Sequence, residues 1–312
     1  MLGKTALQKK SHRARLMKQN IGLYLLIALP LAYVIVFQYI PMYGVVIAFQ
    51  NYKPVRGILG STWMGLYQFE RFFTTARFWR ILSNTVVLSF YSLLAGFPLP
   101  VLLALVLNSC PAVRLKKLTQ TVTYAPHFIS TVVFVGILNV FFAPSSGLVK
   151  QLMTNLGLLE GNLMVLMSDS AFPHLYVWSG VWQGMGWGSI IYLAALSGVD
   201  PTLHEAARVD GANKFMRVLH IDIPTIVPAI VTMFVLRCGS ILSVGFEKVY
   251  LMQNSLNSTA SEVISTYVYK VGLLDTQYSY SSAIGLTNNI VNLIMLVVTD
   301  RIAKSLGQTG LF

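Results

Sequence analysis

The sequence predicts an all-α integral membrane protein that crosses the bilayer with six helices. Only 11% of its 312 residues are charged and 55% are hydrophobic, whereas a soluble domain carries about 25% charged residues. Several apolar runs reach the roughly 20 helical residues that span a hydrocarbon core, and the mean hydropathy is +0.63. The period-two alternation of a membrane barrel is absent. Backbone groups in lipid must be satisfied within their own segment, so each apolar run is read as a helix.

Residues 1–20 form a basic segment containing Lys9, Lys10, Arg13, Arg15 and Lys18. The apolar run that follows, 21–40, has the outline of a signal peptide but no small-residue cleavage pattern after it, so it is read as a retained first span. Residues 21–83 thus hold one helix and an outer loop. The aromatic and basic mixture at 67–73 and 78–80 suits a helix lying in the interface, with the stems of its arginines snorkelling. A core region, 84–303, holds five more spans at 84–107, 121–142, 172–196, 225–245 and 281–300, and 304–312 is a tail. Gly96, Pro98 and Pro100 predict a kink in the second span, because proline removes a backbone donor and clashes one turn back. The connections 143–171 and 246–280 are too short for separate domains.

With the N-terminus inside, the inner segments carry fourteen Lys and Arg and the outer segments eight. The positive-inside rule therefore places both termini in the cytoplasm. The same rule accounts for the net charge of +12; no basic fold motif accompanies it, and no nucleic-acid partner is expected. Cys110 and Cys238 lie in or at the end of apolar runs, which argues against a disulfide framework. The five histidines show no metal-ligand spacing, and no metal site is expected.

The segment 200–224 is the most informative stretch. Pro201 suits a first helical position, and Thr202 with Glu205 makes a capping box. Leu203, Ala206 and Ala207 then repeat at helical spacing. Gly211 permits a sharp turn, and Asn213 can cap a second short helix with apolar Phe215, Val218 and Leu219. Such short helices are marginal in water alone, so their apolar face must pack on something, either the bundle itself or another protein.

Glu205-Ala206-Ala207, Gly211, Ile221 and Ile223-Pro224 resemble the EAA loop of bacterial ABC-importer permeases, with Ile where that family usually has Leu. The resemblance extends over nearly the whole chain to the polysaccharide and oligosaccharide branch of the sugar importers. Its runs lie at 39–44, 123–130, 182–188, 243–248 and 264–269, among them Thr123-Tyr124-Ala125-Pro126 and Trp182-Gln183-Gly184. It implies a type I permease fold with six helices in a bacterial cytoplasmic membrane. It also implies a second homologous permease, two ATPase subunits that hold ATP and magnesium, an extracytoplasmic solute-binding protein and a carbohydrate substrate. By the same resemblance, Glu205, Ala206, Ala207, Asp210 and Gly211 couple the chain to the ATPase. No ATP site is expected on this chain: its one Gly-Lys-Thr triplet, at 3–5, lacks the preceding spacing of a phosphate-binding loop.

For the substrate path, Arg237, Ser240, Ser243 and Glu247 fall within about 120° of one helix face at 100° per residue. A charge at the bilayer centre costs about 2.5–3.5 kcal/mol, so Arg237 should face protein or water; it either lines a cavity for hydroxyl-rich or acidic sugar or pairs structurally. Asn288 and Asn292 share a face that could line the path or join helices by hydrogen bonds. Trp182 and Trp187 could stack on sugar rings or sit at the interface as Trp commonly does. Permeases for peptides or amino acids remain the alternative. A secondary transporter would show inverted repeats and broken helices, and an intramembrane enzyme would show a motif such as Gly-x-Ser-x-Gly; neither is found.

Overall fold

The computed structural model describes residues 19–158 and 161–307. Helix α1 (Ile21–Val34) continues through a π turn and a 3-10 stretch into one apolar rod, Ile21–Phe49, with none of its membrane window buried against the chain. A short antiparallel pair, β1 (Gln50–Asn51) and β2 (Thr62–Trp63), leads to the amphipathic α2 (Tyr67–Thr74). The arginines here do not simply snorkel. Arg71 donates to Gln277 and lies 4.2 Å over the Tyr280 ring, and Arg80 forms a 2.8 Å ion pair with the buried Glu262.

Helices α3 (Phe78–Gly96) and α4 (Pro98–Asn108) make a span interrupted at Phe97, where Pro98 and Pro100 withhold backbone donors. The expected span at 121–142 is not one continuous helix. Instead α5 (Val113–Tyr124) and a 3-10 turn at Ala125–Phe128 meet α6 (Thr131–Phe141) at a bend of 101°. Pro126 cannot continue the ladder, and Ser130 turns extended and caps α6 through the Val133 N–H.

Helix α7 (Phe172–Ser197) sits at the centre, against α3, α4 and α5. Its glycines allow this: a Cβ on Gly186 would fall on the Thr123 carbonyl, and one on Gly188 would lie 3.2 Å from the Pro100 ring. Lipid tails are as apolar as leucine, so close van der Waals approach at small residues is what holds such helices together.

Helices α8 (Pro201–Val209) and α9 (Lys214–Arg217) form the inter-span knob. Helix α10 (Ile223–Cys238) continues from α9 through a π turn, giving a span of Lys214–Cys238. It stops short of the expected end at 245. Gly239 packs on Leu296, and Asn292 accepts from the Leu242 N–H at 3.0 Å and donates to Ser243 Oγ at 3.0 Å. Replacing Asn292 with Leu should cost about 1–3 kcal/mol, the penalty for a buried N–H left unpaired, read as a lower unfolding midpoint in detergent. Short helices α11 (Phe246–Met252) and α12 (Ile264–Tyr269) then lead to α13 (Tyr278–Ser305).

Among the described residues, four helices are long and apolar enough to cross a membrane, or five if the bent pair is one span. The expected count of six needs α7 as well. That helix has 26 residues, but Gly, Trp and Gln dilute its apolar character. Apolar clusters hold the two ends: Phe72, Ile81, Ile264 and Ile284 at one, Ala104, Tyr192, Leu196 and Ile226 near the knob.

Candidate coupling segment and membrane groove

Helix α8 begins at Pro201, so Thr202 already lies inside its first turn and the expected Thr202–Glu205 capping box does not form. Asp200 caps instead, its Oδ1 accepting the Thr202 N–H at 2.9 Å. That bond holds the Asp200 carboxyl below the ordinary range. The helix closes in a Schellman turn: Ala212 N–H donates to Ala207 at 2.8 Å, Gly211 N–H to Arg208 at 3.1 Å, and Gly211 takes φ +79°. Asn213 caps α9 as the sequence predicts, accepting from Met216 N–H at 2.9 Å.

The knob is tied to the bundle beneath it, with His204 Nε2 3.2 Å from the buried Asp222. Its outer surface is uncovered. Glu205, Ala206, Asp210 and Gly211 are exposed and Ala207 half-buried. Val209 and Phe215 are 88% and 73% exposed, an apolar face with no partner among the described residues.

A groove runs along α3, α7 and α10 through three adjoining cavities that all include Gly96 and Arg237. The largest, about 720 Å³, is lined by Trp187, Tyr192 and Ser240 among others. The second, about 180 Å³, takes in Ser89, Ser92, Ser240 and Ser243. The third, about 210 Å³, reaches Tyr176, Gln183 and Lys248. Arg237 is exposed on the face of α10 and borders all three cavities.

The groove therefore gathers Arg237, Ser240, Ser243 and Trp187, and leaves other predicted residues aside. Trp187 stacks on His127 at 4.6 Å, and Trp182 stacks on Phe134 at 5.9 Å outside the three cavities. Glu247 is exposed and lines none of them. Asn292 is engaged at the end of α10, while Asn288 borders a separate cavity with Tyr52 and Tyr269.

Sequence reasoning misses Lys248, which it counts as an outer-loop charge. Its Nζ donates to the Tyr176 carbonyl at 2.8 Å and lies 4.8 Å and 5.2 Å from the ring centres of Tyr176 and Phe134. Burial pushes its ammonium down to about 7. Ser89, Ser92 and Gly96 are legible as a small polar stripe at helical spacing on the second span.

Residues 75–308 match the family described as binding-protein-dependent transport system inner membrane component. The chain belongs to that family. It is a multi-pass membrane protein and a transport permease. This permease is 42% identical over 307 residues to the polygalacturonan/rhamnogalacturonan transport system permease protein YteP of Bacillus subtilis, covering 97% of this chain and 95% of that one. It is 41% identical to protein LplB of the same organism over 297 residues, 95% of this chain and 92% of that one. Among solved structures, it matches a bacterial alginate ABC transporter in complex with an alginate pentasaccharide-bound periplasmic protein. The TM-score is 0.87 at 34% identity, covering 95% of this chain and 99% of that one.

Proposed function

We propose that this permease moves oligosaccharide or polysaccharide, delivered by an extracytoplasmic binding protein, inward across a bacterial cytoplasmic membrane, driven by ATP hydrolysis on separate subunits. The knob at 200–224 carries the reading. A fixed turn at Gly211 holds two short helices at a set angle, and the uncovered Val209 and Phe215 offer apolar area for a cytoplasmic partner. The ATPases, in two copies, seat on Glu205, Ala206, Ala207, Asp210 and Gly211. His204 and Asp222 then pass their movement into the fifth span. This reading puts the knob and both termini in the cytoplasm.

The groove is one half of the path, and a second permease supplies the other. Arg237, Ser240 and Ser243 offer hydrogen bonds to sugar hydroxyls, and Trp187 offers a ring face. Glycan, rather than peptide, is favoured by the transport named for the relatives: polygalacturonan or rhamnogalacturonan for one, alginate for the other.

The test is ATP hydrolysis by the complex reconstituted with its ATPases and second permease. A glycan-loaded binding protein should raise the rate several-fold. Stimulation by a peptide-loaded binding protein and by no glycan would overturn the sugar assignment.

A further inference from the structure

Among the described residues, the groove contains two cations and no anion. Arg237 and Lys248 line the same cavity of about 210 Å³, with Ser92, Tyr176 and Gln183 beside them. No described Asp or Glu lines that cavity or the two adjoining it. Among the described residues, neither cation has a carboxylate within ion-pair distance, whereas Arg80, Lys270 and Lys304 each do.

Structural roles account for part of this. Arg237 lies in the last turn of α10, where helix carbonyls favour a cation. Lys248 has one carbonyl and two ring faces. A single carbonyl satisfies only one of the three donors of an ammonium, and neither role explains why two positive groups converge on one space. Like charges brought together in a partly dry cavity repel, and the arrangement is relieved when an anion enters between them. Glycine at 180 leaves the room: a Cβ there would lie 3.2 Å from Lys248 Nζ.

We propose that Arg237 and Lys248 form a carboxylate-binding subsite in the translocation path, which makes uronate-bearing oligosaccharide the substrate class. The proposal rests on the transport reading above and deepens it. Serine hydroxyls and Gln183 would suffice for a neutral sugar; the paired cations add recognition of the acid group. A transport site must also release its cargo. Lys248 suits this, because its ammonium is already discharged in part near neutral pH.

The test uses the complete importer in proteoliposomes with trigalacturonate as the probe. Arg237→Gln and Lys248→Gln should each lower uptake per ATP roughly tenfold or more, in line with removing one charge from a desolvated pair. Arg237→Lys and Lys248→Arg should keep most of the uptake. Should a Gln variant fail to assemble, Ser92→Asp places a carboxylate in the same cavity and should depress trigalacturonate uptake in the same way. Gln variants that import at the wild-type rate would overturn the subsite, as would equal losses in the charge-keeping and charge-removing variants or unchanged uptake by the Ser92→Asp variant. A wild-type complex that imports a neutral galacto-oligosaccharide and not trigalacturonate would overturn the subsite and leave glycan transport standing. Import of peptide and no glycan would overturn both.

Discussion

Gly211→Val is expected to cut glycan uptake about tenfold, the factor that ~1.4 kcal/mol of lost coupling represents. Nothing lies within 4 Å of a Cβ at this position, so the change creates no clash. Its effect runs through the backbone alone. Gly211 holds φ +79°, a conformation that costs an L-residue ~1–2 kcal/mol. A β-branched residue would escape by rotating the turn, breaking the paired bonds from Gly211 and Ala212 and re-aiming α8 against α9. Asparagine tolerates the left-handed region, so Gly211→Asn should stay near the wild-type rate and Gly211→Ala should fall between. Uptake and binding-protein-stimulated hydrolysis, measured together, check the order. Equal activity across the series would mean that the angle of the turn transmits nothing.

The second large effect is on assembly of the fold. Gly186→Leu should destabilise the permease by about 3 kcal/mol or more, the upper end of overpacking costs, because the first side-chain atom would already coincide with the Thr123 backbone. A backbone carbonyl cannot rotate out of the way as a side-chain end can. Helix α7 would have to leave α5, opening the contact that centres the bundle. Gly184→Ala, on the same helix with nothing within 4 Å of its Cβ, should be nearly neutral. Unfolding midpoints of the purified protein measure both.

Much of this architecture is legible in the residues. Apolar runs locate the membrane helices because hydrocarbon imposes length and composition together. The knob is legible for a different reason: Pro201, Gly211 and Asn213 are start, stop and restart signals with fixed backbone meanings. Its cap is misread from sequence, since Asp200 and Thr202 are both competent and only the true first turn, at Pro201, decides between them. The third run shows where hydropathy fails. Pro126 and Ser130 bend it by 101°, yet its composition is that of a plain span.

The groove is half legible. Arg237 announces itself as a charge within an apolar run, and Ser240 and Ser243 follow by helical spacing. Lys248 cannot be found that way. It belongs to α11, which folds back only because α10 ends at Cys238 and Asn292 secures the turn. That is a tertiary event, and no local period records it. The same event ties Asn292 to Leu242 and Ser243 and leaves Glu247 outside the groove.

The central claim is that the knob meets an ATP-hydrolysing subunit, and site-directed cross-linking tests it most directly. In an assembled importer lacking the native Cys110 and Cys238, a cysteine at Val209 should cross-link to the ATPase, while one at Val55, 99% exposed in the loop after α1, should not. Cross-linking to the ATPase from Val55→Cys, or none from Val209→Cys, would contradict the account.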